Sequence, residues 1–163
     1  MSTVDTFIKA YEFNRGRTLD LLATIEKMPN QQAVLAWRPG PGRAHIGWQL
    51  MHVAITEEIF ATDRLAPHKQ AAFAELWPRF RGGSTPDDDV PSIDTIRRIL
   101  GETRAHLIET LSAFGDDRLD EIPPALAARK FTVGTVLHVI GWHEGHHQGQ
   151  AHITLNLYKA AHQ

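Results

Sequence analysis

His143 and His147, four residues apart, are the pair in this chain best placed to do chemistry together. On a helix they lie about 40° apart and one turn apart, so both imidazoles can converge on one divalent cation. Ten histidines in 163 residues yield about 0.6 such pairs by composition alone, and spacing is therefore weak support. Placement is stronger. Val136, Ile140, Gln150 and Thr154 fall within about 60° of His143, on the face where a packed helix normally carries leucine or valine. Imidazoles buried there need hydrogen-bond partners or a cation. A hydrogen-bonded polar cluster without metal is the alternative.

A third ligand has to come from the buried face of another helix. His52 fits, on the stripe Gln49, His52, Ile55, Thr56, Ile59. His45 shares that face but lies about 10 Å further along the axis, too far for both to bind one ion at zinc–nitrogen distances of about 2 Å. It reads as a residue at the mouth of the bundle. His146 flanks the stripe about 60° from His143 and could steady a ligand, face a substrate or lie in an interface. Gln150, one turn above the pair, could hydrogen-bond a substrate or orient a ligand. Glu144 is a candidate proton acceptor beside a ligand, with an exposed or interface carboxylate as the alternative. Trp48 and Trp142 read as packing or interface residues, and His68, His106, His138, His152 and His162 as surface residues.

The run His143-Glu144-Gly145-His146-His147 also spells the His-Glu-x-x-His helix of zinc proteases. The extended form of that motif needs glycine at position 150 and histidine at 153, where this chain has Gln150 and Ile153. No aspartate or glutamate follows Glu144 to serve as a downstream ligand. The protease reading fails.

Four helix-period stretches must position these residues. The first runs from Val4 toward a stop at Pro29, with Ser2 as N-cap. The second runs from Ile46 to about Asp63. The third is capped by Ser92 and reaches Phe114, and the fourth is capped by Thr132 and continues to the end of the chain. Gln31 to Arg43 reads as a loop, broken by Pro39-Gly40-Pro41-Gly42. No stretch alternates as a strand would. The expectation is an all-α four-helix bundle, one domain over residues 1–163. Its second-to-third and third-to-fourth connections, about 28 and about 17 residues, are long for a bundle. Within the first, Lys69 to Trp77 reads as a short helical piece and Gly82 to Asp89 as a flexible acidic turn.

Composition narrows the function classes. With no cysteine there is no disulfide scaffold, thiolate nucleophile or cysteine-ligated metal. A formal charge of −2 from 17 basic and 19 acidic residues gives no footprint for nucleic acid or an anionic membrane. No uncharged stretch is long enough to span a bilayer, and no signal-peptide pattern opens the chain. A cytoplasmic protein is expected.

Three motifs together resemble the DinB-like (DinB/YfiT) four-helix-bundle metalloenzyme family. They are Trp37-Arg38-Pro39 leading to Ile46-Gly47-Trp48-Gln49-Leu50-Met51-His52-Val53, then Thr132-Val133-Gly134, then His143-Glu144-Gly145-His146-His147-Gln148-Gly149-Gln150. The resemblance spans nearly the whole chain. It implies that one histidine of the second long helix and a pair in the fourth bind a divalent metal, and these match His52, His143 and His147. It also implies a homodimer, and functions that include thiol S-transferases and an isomerase using low-molecular-weight thiols. Fold and metal follow from such a resemblance more firmly than reaction does. Gly145 and Gly149, each costing about 1 kcal/mol inside a helix, lead us to expect close approach of a neighbouring segment.

Three neutral imidazoles would leave an ion with open positions, as in catalytic rather than structural sites. The expected function is a metal-dependent hydrolase or thiol transferase acting on a small molecule, with water or an exogenous low-molecular-weight thiol activated at the ion. Zinc or nickel suits the ligands best, and iron or cobalt is compatible. The alternative is a non-catalytic, stress-associated bundle in which the ion pins helices together.

Overall fold

A computed structural model describes residues 1–162. Its long helices are α1 (Thr3–Glu26), α3 (Ile46–Ile59), α5 (Ile93–Ser112) and α6 (Val133–Ala161); α2 (Gln31–Ala36) and α4 (Trp77–Phe80) are short. No strand occurs among the described residues. Both α1 and α3 pack against both α5 and α6, which sets α1 diagonal to α3 across a four-helix bundle. No helix is long and apolar enough to cross a membrane among the described residues.

The expected caps form. Ser2 Oγ accepts from the Asp5 amide, and Asp5 returns a bond to the Ser2 amide, a capping box. Asp116, from the connection before α6, also accepts from the Thr3 amide at 2.8 Å. Ser92 and Thr132 cap α5 and α6, their hydroxyls accepting from the Thr95 and Thr135 amides. At the start of α6, the Gly134 amide bonds the Leu119 carbonyl at 2.8 Å. A Cβ at Gly134 would sit 3.2 Å from that oxygen, a reason for glycine there.

Two segments depart from the sequence reading. Residues 31–36 form α2 rather than loop, because Val34 and Leu35 are fully buried on the core; six residues are too few to show a period. The helical piece expected at 69–77 lies later, as a 3₁₀ turn at Ala74–Leu76 leading into α4. The acidic turn is tied down: Arg79 pairs with Asp87 and Asp89, and Arg38 with Asp88. After Ile59 the chain widens into a π turn over Phe60–Arg64, where the Leu65 amide bonds the Phe60 carbonyl at 3.0 Å.

The core is divided. One apolar cluster gathers Leu22, Leu35, Leu50, Ile55, Leu100 and Leu155, the other Tyr11, Phe60, Leu107, Val136 and Ile140. On all four long helices a charged residue stands between them: Arg15, Glu57, Arg104 and Glu144, each less than a tenth exposed. Arg15 bonds both glutamates, as does Arg104. The quartet is neutral overall, the condition for tolerating buried charge.

Candidate metal centre

α3 presents His52, and α6, packed against it, presents His143 and His147. The ligand-capable nitrogens of the three all lie within 4.8 Å of one another, and Nε2 of His52 is 3.0 Å from Nε2 of His143. Around a tetrahedral ion with bonds near 2 Å the nitrogens would stand about 3.3 Å apart, so small side-chain adjustments would suffice.

On His52 and His147 the other ring nitrogen is already committed. His52 Nδ1 lies 2.6 Å from the Phe80 carbonyl, which can only accept, so Nδ1 carries the proton and Nε2 keeps its lone pair. It follows that His143 Nε2–H donates to His52 Nε2. His147 Nδ1 bonds Gln49 Oε1, an arrangement that again leaves Nε2 for a cation. Trp48 stacks on the His52 ring, centroids 4.6 Å apart and planes 8° from parallel, and its indole N–H donates to the Arg79 carbonyl at 3.1 Å. Such outer contacts fix ring orientation and tautomer in metal sites.

Charge state also suits a cation. Burial pushes the His52 pKa down. Burial, reinforced by the neighbouring imidazoles, lowers His143 to about 4 and His147 to about 3. All three are neutral at neutral pH, as metal ligation requires. Three converging, uncharged nitrogen donors fit zinc, nickel, iron or cobalt alike.

The long connection after α3 completes the site. Buried Glu58 accepts from the Ala72 amide at 2.7 Å, the Phe73 amide at 3.0 Å and the Trp77 indole at 2.9 Å. This anchors the segment that delivers the Phe80 carbonyl to His52. Next along the chain, a Cβ on Gly82 would come within 4.0 Å of His52 Cε1. His52 and His143 open onto a cleft of about 680 Å³, within the range of small-molecule sites.

A family model described as the DinB superfamily matches residues 10–151. The chain belongs to the DinB superfamily. No curated protein and no solved structure matches it. The matched span takes in all three histidines of the cluster.

Other residues singled out in this DinB superfamily chain are placed differently. Glu144 is neither exposed nor aimed at the cluster. Its Oε1 accepts from Arg15 Nε at 2.7 Å and Thr18 Oγ1 at 2.9 Å, and its Oε2 from Arg104. Both carboxylate oxygens are spent in the buried quartet, which corrects the expectation of a proton acceptor. His146 is exposed, stacks on Trp142 at 4.9 Å and meets Gln150 Nε2 at 2.8 Å. Gln150 also lines a smaller cleft with Gln49. His45 is the N-cap of α3: its Nδ1 accepts from the Trp48 amide at 3.0 Å and its Nε2 bonds the Asp87 carbonyl at 2.9 Å. Gly145 and Gly149 face open space, so the close approach expected there is absent, and nothing in the structure explains either glycine.

Proposed function

We propose that this DinB superfamily protein is a metal-dependent enzyme that activates water or an exogenous low-molecular-weight thiol against a small-molecule substrate. The observation that carries the reading is the convergence of three neutral imidazoles, two of which, His52 and His143, line an open cleft. A divalent ion held there by neutral ligands keeps its full charge and acidifies a bound water or thiol toward neutral pH.

The chain's own part is to hold and orient. The Phe80 carbonyl and Trp48 fix His52, Gln49 fixes His147, and His143 must move its Nε2 proton to Nδ1 to offer a lone pair. No cysteine is present, so a thiol has to come from solution. No carboxylate lines the cleft, so a proton lost by a nucleophile there would have to leave to solvent. A purely structural ion is the rival reading; the cleft beside His52 and His143 favours catalysis, because a structural site is closed. A second copy of the chain as partner is part of the proposal, supported by exposed Trp142, Ile153 and Leu157 along α6.

The test is turnover of zinc- and nickel-loaded protein on a panel of esters and of thiols paired with electrophiles. Turnover in the wild type that disappears in a folded His52→Ala variant is expected. Metal bound with no turnover, together with collapse of thermal stability on metal removal, would favour the structural ion.

A further inference from the structure

The cleft beside the histidines carries a charge that its own chain does not balance. Arg64, Arg81 and Arg129 line it, and no aspartate or glutamate does. The three arrive from separate segments: the end of the π turn after α3, the C-cap of α4, and the last residue of the 3₁₀ turn Pro124–Arg129. Arg81 and Arg129 are exposed and make no ion pair or side-chain hydrogen bond among the described residues. Arg64 has only its neighbour Asp63 at 3.2 Å and the Ala125 carbonyl at 3.5 Å. Elsewhere arginines mostly find carboxylates: Arg79 with Asp87, Arg98 with Glu102, Arg118 with Glu121. A concave wall lined by one sign of charge focuses the field on its contents. Guanidinium groups match carboxylate and phosphate oxygens in geometry as well as charge. Beside the polar Thr56 and Ser84, the wall also carries an apolar group, Ile59, Phe60, Leu126, Phe131 and Val139.

Resting on the reading of the histidine cluster as the reactive centre, we infer that the substrate is a small organic anion. Its carboxylate or phosphate group is held by Arg81 and Arg129, with Arg64 beside them, and its apolar part lies on Phe60, Leu126 and Phe131. The anionic group is recognised apart from the histidines, so its binding is measurable without metal.

The experiment is an NMR titration of the full chain, with and without zinc, using inorganic phosphate, succinate and the neutral analogue succinamide. Phosphate, succinate or both are expected to shift resonances around the cleft in the zinc-free chain, and whichever binds identifies the group. The Arg81→Gln/Arg129→Gln variant should weaken that binding about tenfold or more. Arg17→Gln, on the exposed face of α1, should leave it unchanged. Binding of neither anion, equal binding of succinamide, or full retention in the double arginine variant would overturn the inference. Zinc uptake measured on the same samples keeps its failure separate from failure of the metal reading.

Discussion

Replacing Glu144 with glutamine removes one negative charge from a layer built to be neutral. Arg15 and Arg104 would then share Glu57 alone, leaving one uncompensated positive charge among side chains less than a tenth exposed. Arg104 has no slack to absorb the loss, since its Nη1 already lacks a partner. Breaking a buried ion pair from one side costs about 3–5 kcal/mol. At about 2–4 °C per kcal/mol for a domain of this size, a cost of about 4 kcal/mol lowers the melting temperature by roughly 8–16 °C. Thermal and urea unfolding followed by circular dichroism would measure it. A Glu144→Gln/Arg104→Met variant, with one arginine and one glutamate left, restores neutrality and should recover part of the loss. Metal content should match the wild type, because the Glu144 carboxylate is spent on Arg15, Thr18 and Arg104. The reasoning is refuted if Glu144→Gln melts within about 2 °C of the wild type. It is also refuted if stability and metal persist while turnover vanishes, which would mean that the carboxylate reaches substrate.

Gln49→Leu deletes the acceptor for His147 Nδ1 and should weaken metal affinity about tenfold or more, read by competition with a chelating dye. Unchanged affinity would show that Gln49 does not orient this ligand. Acid sensitivity should trace in part to Glu57. Burial acts to raise its pKa, but Arg15 and Arg104 overcome that and hold it below the ordinary value of 4.5. A carboxylate depressed on folding contributes stability that is whole above its unfolded pKa and lost as pH falls through the folded one. Melting temperatures between about pH 5 and about pH 3 should therefore fall less steeply in Glu57→Gln than in the wild type; equal slopes would show that Glu57 is not a source of acid lability.

Much of this architecture is written in helical periodicity, because α1, α5 and α6 each bury one stripe and Ser2, Ser92 and Thr132 mark their starts, whereas α3 is buried nearly all round. The cluster of His52, His143 and His147 is legible for the same reason: histidine on an apolar stripe stands out. The buried quartet obeys the same rule but is not legible residue by residue. Arg15 falls between Tyr11 and Thr18, Arg104 between Leu100 and Leu107, Glu144 four residues after Ile140. Each reads alone as a solvated charge, and only their coincidence at one level of the bundle marks them as partners. Glu144 reads as a partner of the metal because of its neighbours in sequence, whereas a step of about 100° per residue turns it to another face. What orients His52 could not be read at all. Its acceptor is a backbone carbonyl in an irregular connection, and a carbonyl has no side-chain signature.

The central claim is that three neutral histidines hold one cation. It is tested most directly by elemental analysis of protein purified without an affinity tag or chelator, beside a His143→Ala/His147→Ala variant. About one divalent metal per chain, lost in the variant while its helical signal persists, is the predicted result. A wild type that carries no metal and takes up none on reconstitution would contradict the account, leaving the histidines as a hydrogen-bonded polar cluster in the bundle wall.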